Sequence, residues 1–330
     1  VQQLCLGVES TAHTLGLGVV DSAGKALADV RRTHRPPTGG IHPREAARMM
    51  ASHAGEALRA CFSEAGASPN DLSLVSFSQG PGLGPCLRTG ATLARSISSY
   101  LGVPLVGVNH CVAHIEVGRK YGNSVDPVVL YVSGGSTQVI SYAGGFYRIF
   151  GETEDIAVGN LLDSFAREAG LVFPGGPEVE RLSSSGKEVV DLPYTVKGMN
   201  VSFSGLLTRT KGMIPTHRLE DICLSLQETA FSMLVEVSER AMAFLKKDEL
   251  LLVGGVGVNG RLREMCQTMC EERGARFRTI EPRFCLDNGV MIALTGILAR
   301  SVGEETPVAR SGVRPKWRVD RTRVAWRAGA

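Results

Sequence analysis

Two stretches of the chain share one pattern: apolar strand, turn, apolar strand. Residues 4–24 contain LCLGVES and then HTLGLGVVDSAG, which runs into a Ser-Ala-Gly turn, and residues 127–145 read PVVLYVSGGSTQVISYAGG. Buried strands bounded by turn residues read as hairpins. After the first stretch come a helix over Arg44–Ala65 with Pro43 at its start, the strand LSLVSFSQ, a PGLGP loop, a helix over Leu87–Leu101 ended by Gly102, and the strand VPLVGVN. After the second come helices around Asn160–Gly170 and Leu219–Lys247, the strand ELLLVGGV, a helix over Gly260–Arg273, the strand ARFRTIEP and a last helix near Asn288–Ser301. Two halves that open alike and close on helices confine the chain to a duplicated α/β fold, two lobes with a cleft between. We place an N-terminal lobe at residues 1–125 and a C-terminal lobe at 126–330. The stretch Val172–Pro215, rich in Gly, Ser and Pro, reads as an insertion or a loop-built lid.

Composition narrows the function classes. A formal net charge of +3 over 330 residues does not by itself argue for nucleic acid. The charge is uneven, however: Arg310 to Arg327 holds seven Lys or Arg and one acid, Asp320. Such a stretch can contact phosphate, and it can equally be a solvated basic tail. The eight cysteines are scattered without a CxxC pair, which fits reduced thiols and a cytoplasmic location better than a disulfide framework. VQQLCLGVES shows no basic region before a long apolar run, so no signal peptide is expected. Glu228, Glu236 and Glu239 interrupt the longest apolar-rich segment, so it reads as an amphipathic helix and no membrane role is expected.

VPLVGVN leads straight into NHCVAHIE. On a helix, His110 and His114 share one face and can present two imidazoles to one point, half of a site for zinc, iron or a similar ion. The metalloprotease signature shares this spacing but needs Glu after the first His, where Cys111 stands here. The plainer reading is one packed and one solvated histidine. Asp287, between a strand end and a helix start, is either a helix cap or the missing hard ligand.

Two Gly-rich turns carry the other signal. YVSGGSTQ offers close backbone approach and successive N–H groups, an anion-binding nest or an ordinary tight hairpin. LLVGGVGVNGRLRE is strand, Gly-rich turn and helix start, where an anion or flat ring can lie and Asn259 can offer an amide. It does not complete a GxGxxG fingerprint. Asp163, in GNLLDSF, and Glu180, in PGGPEVE with Gly176, can hold ribose hydroxyls or be solvated helix acids.

Together these stretches resemble one family across nearly the whole chain. ESTAHTLGLGVV, GGIHPREAA, SQGPGLGPCLRTG, NHCVAHIEVGR, YVSGGSTQV, DIAVGNLLDSFARE, FPGGPEVE, NVSFSGLLT, LLVGGVGVNGRLREM and DNGVMIALTG occur in order. They resemble the universal tRNA threonylcarbamoyltransferases, in the branch that forms the catalytic subunit of the archaeal and eukaryotic KEOPS complex. The resemblance implies an actin/sugar-kinase-like fold and one divalent metal per chain, iron or zinc. His110, His114 and Asp287 match its metal ligands, and Tyr131 matches a tyrosine that can join the metal. Tyr131, Val132, Ser133, Gly134, Gly135, Asp163, Gly176, Glu180 and Asn259 match positions that hold an adenylate or ATP. No catalytic base is assigned.

The implied partners are tRNA, a small atypical kinase, a dimerising subunit and an adenylate-forming synthase that supplies substrate. Arg48, Met49, Gly260, Asn200 and Phe173 depart from residues common in the family, without removing an expected metal ligand. The rival readings are a small-molecule kinase or ATPase of the same fold, a metalloprotease, and a non-catalytic scaffold in a kinase-containing complex.

Overall fold

The computed structural model describes residues 3–35 and 40–327; Gly39, which opens the GGIHPREAA stretch, and both chain ends lie outside them. The chain begins with three antiparallel strands, β1 (Leu4–Glu9), β2 (Thr14–Asp21) and β3 (Ala26–Thr33). Helix α1 (Pro43–Ala65) starts on Pro43, whose missing N–H is not needed in a first turn, and ends on Gly66 in the left-handed region at φ 61°. Then follow β4 (Leu72–Gly80), α2 (Gly84–Leu101), β5 (Leu105–Asn109) and α3 (His110–Tyr121). β1, β4 and β5 run parallel, and the sheet order is β3-β2-β1-β4-β5. Sequence reading missed β3, whose ALADVRRT lacks the apolar density of its neighbours.

The next part repeats this topology. β6 (Val128–Val132), β7 (Thr137–Ala143) and β8 (Phe146–Glu152) form the second meander. There follow α4 (Val158–Glu168), α5 (Gly175–Ser183), the two-residue strands β9 (Val196–Lys197) and β10 (Asn200–Val201), α6 (Ser204–Met213) and α7 (Leu219–Leu245). β11 (Glu249–Val253), α8 (Gly260–Glu272), β12 (Arg276–Arg278) and α9 (Pro282–Cys285) complete it. The sheet order is β12-β11-β6-β7-β8, with β11 parallel to both β6 and β12. Read from β8, it matches the first sheet strand for strand. The duplicated α/β fold expected from the sequence is the observed one.

The last helix, α10 (Gly289–Ser301), returns to the first sheet. One compact unit comprises Val1–Lys120, Ala143–Tyr147 and Leu286–Ala330; the other comprises Tyr121–Tyr142 and Arg148–Cys285. The division at residue 125 with everything later in one lobe is therefore corrected. α10 lies on β1 and β2 through glycine. A Cβ on Gly7 would stand 2.1 Å from the Gly289 carbonyl oxygen, and one on Gly18 would stand 2.4 Å from the Val290 nitrogen. The opposite face of β1 and β2, with Leu6, Val8, Leu15, Leu17 and Val19, packs on α1 and α2 residues such as Met50, Ala91 and Ala94.

Two further expectations change. Val172–Pro215 is not a loop-built lid: Val179, Val201, Phe203, Leu206 and Met213 enter the core of the second unit with α7. Its Gly, Ser and Pro set turns between short elements whose apolar faces are buried. The basic stretch is not a solvated tail either. Val319, Thr322, Val324 and Arg327 are buried, and the Arg327 guanidinium donates to the Tyr147 hydroxyl (3.3 Å), which itself donates to Glu116 (2.6 Å). No helix among the described residues is long and apolar enough to cross a membrane, and all eight cysteines are free.

The glycine contact can be tested by stability. Gly18→Ala pushes a methyl into α10 backbone and is expected to destabilise the fold by about 1–3 kcal/mol. Gly212→Ala, on α6 with no atom within 4 Å of its Cβ position, is expected to be neutral or to stabilise by about 0.5–1 kcal/mol. Urea midpoints of the two variants check both. Equal midpoints for Gly18→Ala and the parent chain would refute the close packing.

Candidate functional site

β5 passes into α3 without a loop, and Asn109 makes the junction. Its Oδ1 accepts the Cys111 and Val112 N–H groups at 3.0 and 3.2 Å, satisfying two donors of the first turn. His110 and His114 follow on one face, both buried, with ring centroids 4.6 Å apart and planes at 86°. The Asp287 Oδ1 lies 3.2 Å from His114 Nε2 and 3.6 Å from His110 Nε2. All three donor atoms lie within 4.8 Å of one another. Asp287 is not the helix cap: Asn288 caps α10, accepting the Met291 N–H at 2.8 Å. That leaves the Asp287 carboxylate facing the imidazoles.

Glu9 is the residue that sequence reading did not find. It ends β1 on the same face as Gly7, wholly buried. One carboxylate oxygen accepts the Thr11 N–H (2.6 Å) and hydroxyl (2.5 Å). The other lies 3.0 Å from His110 Nδ1. A buried carboxylate needs donors, so Nδ1 carries the proton and donates. Nε2 of His110 then lies on the side of Asp287, where it offers a lone pair once the ring is neutral. The signal was present as an acid closing an otherwise apolar strand, LCLGVE.

Burial disfavours a charged His110, but the Glu9 and Asp287 carboxylates outweigh it and raise its pKa to about 9. At His114 burial prevails and lowers the pKa, against the pull of Asp287. Burial pushes the Asp287 carboxyl up, yet the two imidazoles hold it below the usual carboxylate range. Two imidazole nitrogens and one carboxylate oxygen, converging within 4.8 Å of one another, are a donor set that suits zinc or iron(II). A divalent ion would replace the proton that the metal-free chain keeps on His110.

The second unit holds the remaining residues expected at a site. Tyr131 and Val132 are buried at the end of β6. The turn that follows is closed by Ser133 N–H to the Ser136 carbonyl (2.8 Å) and by Ser136 N–H to the Ser133 hydroxyl (3.0 Å). Gly134 and Gly135 are exposed at its tip, and no atom lies within 4 Å of either Cβ position. β11 runs parallel beside β6, pairing Val253 with Tyr131, so its Gly-rich loop emerges next to this turn. Gly254, at φ 95°, could not carry a Cβ, which would stand 2.3 Å from the Val132 carbonyl oxygen. Carboxyl ends of adjacent parallel strands are the usual place for a ligand crevice in such sheets.

Around these loops, Asp163 accepts the Gly175 N–H (2.7 Å), one residue before Gly176, and Glu180 accepts the Gly260 N–H (2.7 Å). Asn259 caps α8 through Oδ1 and donates from Nδ2 to Gln227 (2.9 Å). Its amide is therefore largely committed to holding the loop.

The chain was compared with known proteins. The family model described as TsaD, tRNA N6-adenosine threonylcarbamoyltransferase, matches residues 25–294. A tRNA N6-adenosine threonylcarbamoyltransferase from Methanococcoides burtonii is 53% identical, covering 97% of this chain and 96% of that protein. A probable bifunctional tRNA threonylcarbamoyladenosine biosynthesis protein from Methanosarcina barkeri is 52% identical over 97% of this chain, which spans 59% of that relative. Among solved structures, HypF of T. kodakarensis is similar in fold alone, with TM-score 0.60 and 15% identity over 91% of this chain and 48% of that one.

The Glu9 arrangement gives a sharp test. In Glu9→Gln the amide oxygen is held by Thr11, so its NH2 faces His110 Nδ1 and moves the ring proton to Nε2. Zinc affinity, measured by competition with a fluorescent chelator, is expected to fall about 10–100-fold. Unchanged affinity in a folded variant would contradict the assigned tautomer.

Proposed function

The chain belongs to the tRNA N6-adenosine threonylcarbamoyltransferase family, and we propose how its residues serve that activity. It transfers the threonylcarbamoyl group from threonylcarbamoyl-adenylate to N6 of the adenosine 3′ of the anticodon, in tRNAs reading codons that begin with A. The observation that carries this reading is the convergence of His110, His114 and Asp287, with Glu9 fixing one ring. A metalloprotease would need a general base beside the first histidine, and that position is Cys111.

His110 and His114, through Nε2, and Asp287, through its carboxylate, would hold one divalent ion, zinc or iron. Such an ion supplies Lewis-acid stabilisation of charge developing on oxygen. The backbone N–H groups of Gly134 and Gly135, at the exposed tip of the turn, bind the adenylate phosphate, since successive backbone donors form an anion nest. Asp163 and Glu180 shape the adenosine side of that site through the backbone they hold. In the transfer, N6 bonds to the carbamoyl carbon, the carbon–oxygen bond to phosphate breaks, and AMP leaves with the electron pair. One proton is lost from N6. The adenylate is already activated, so no Ser-His-Asp nucleophile is required.

A small atypical kinase, a dimerising subunit and an adenylate-forming synthase are the protein partners of this reading. The bifunctional relative is consistent with it, since that protein extends well beyond the matched region.

The test is transfer itself. Unmodified tRNA, threonine, bicarbonate, ATP, a synthase and the chain with its partners are incubated, and nucleosides are analysed by mass spectrometry. The parent chain is expected to form N6-threonylcarbamoyladenosine. The folded His110→Ala, His114→Ala double variant is expected to form it at least about 100-fold more slowly, a larger loss than a change at a residue that only orients a ligand. Product at equal rates from both would remove the cluster from the chemistry. No product from either, where a relative succeeds in the same mixture, would overturn the transferase reading.

A further inference from the structure

The C-terminal segment presents cations on a pinned backbone. Arg314 N–H donates to the Gln79 carbonyl (2.7 Å), Gly82 N–H donates to the Pro315 carbonyl (3.2 Å), and Arg95 donates twice to Ser311, each at 2.7 Å. Asn109, which caps α3 beside His110, donates from Nδ2 to the Trp317 carbonyl (3.1 Å) and the Thr322 hydroxyl (3.0 Å). There is no slack at the contact: a Cβ on Gly80 would stand 2.0 Å from the Arg314 carbonyl oxygen.

On this frame lies an open cleft of about 480 Å³, lined by Arg314, Pro315, Lys316, Trp317, Arg318 and Arg321. No acid lines it. Arg314, Lys316, Arg318 and Arg321 are exposed, and only Arg318 pairs with a carboxylate, that of Asp320 at 3.1 Å, among the described residues. The Arg314 guanidinium lies 4.0 Å over the Trp317 ring, a stacked cation–aromatic pair.

Holding four cations together with one acidic partner is unfavourable in the free protein and becomes favourable when a polyanion neutralises them. Ordered arginines and a lysine beside an aromatic face match the phosphates and bases of RNA. Through Asn109, the cleft is tied to the first turn of the helix that carries the histidines.

We propose that this cleft is a binding site for the phosphodiester backbone of a structured RNA, and that it positions the tRNA acceptor at the metal centre. This rests on the transferase reading for the identity of the RNA, though RNA binding can be measured without transfer.

The experiment compares the parent chain, in its full complex, with an Arg314→Gln, Lys316→Gln, Arg321→Gln variant. Binding of unmodified tRNA is followed by filter retention between 50 and about 300 mM salt. Each lost phosphate contact is expected to reduce the log–log salt slope by about 0.7–0.9, so three reduce it by roughly 2 to 3. Affinity is expected to fall at least tenfold at about 0.15 M salt, KM for tRNA to rise, and kcat and metal content to hold. A control with equal charge loss in the second unit, Arg240→Gln, Arg273→Gln, Arg276→Gln, is expected to leave the slope unchanged.

Equal losses in both variants would reduce the effect to net charge and overturn the proposal. Unchanged binding in the cleft variant would overturn it too, whether or not the parent chain makes product. Selective loss of binding with an inactive parent chain would uphold the cleft and sink the transferase reading alone.

Discussion

The close contact between α10 and the β1–β2 hairpin decides where the site forms. Gly7, Gly18 and Gly289 let two backbones meet at distances that a single methyl would prevent. With α10 seated there, its N-terminus is fixed, and Asp287, the residue before the cap, has no freedom to sit elsewhere. Along β1, two residues on from Gly7 and on the same face, Glu9 reaches His110. One packing decision thus delivers both carboxylates to the histidines, although they lie at opposite ends of the sequence. Burying Glu9 is costly in isolation. Three donors from Thr11 and His110 offset that cost, and in doing so they fix the tautomer that exposes a lone pair.

Duplication explains the division of labour. The two units share strand order and sense, and each puts its functional residues at the carboxyl ends of its parallel strands. In the first unit those ends carry His110, proposed to bind a cation, with Glu9 orienting its ring and Asn109 capping its helix. In the second they carry glycines and hydroxyls at Ser133–Ser136 and Gly254, backbone that can bind an anion. On the proposed function, the same scaffold would serve two chemistries through the residues that follow equivalent strands.

Much of this was readable before the structure. Pro43, Gly66 and Gly102 sit where helix boundary chemistry puts them, and both hairpins announce themselves through apolar runs broken by turn residues. Helical spacing put the two histidines on one face, but spacing alone favoured one packed and one solvated ring, and only the family resemblance pointed to a metal. What was not legible depended on long-range packing. Asp287 and Asn288 are both good caps, and sequence cannot say which one takes the role. Residues 286–327 follow the second unit in the chain yet pack on the first, because glycine matches in β1 and β2 fix the place of α10. Val172–Pro215 and the basic C-terminal stretch read as loops by composition, and sparse apolar residues such as Phe203 and Val319 suffice to bury parts of them.

The central claim is that Glu9, His110, His114 and Asp287 form one metal centre. Anomalous diffraction at the zinc edge, from crystals of the zinc-loaded chain, tests it most directly. One strong peak is expected about 2.0–2.2 Å from His110 Nε2, His114 Nε2 and an Asp287 oxygen, with His110 Nδ1 still on Glu9. A peak elsewhere, or a His110 ring turned so that Nδ1 meets the ion, would contradict it.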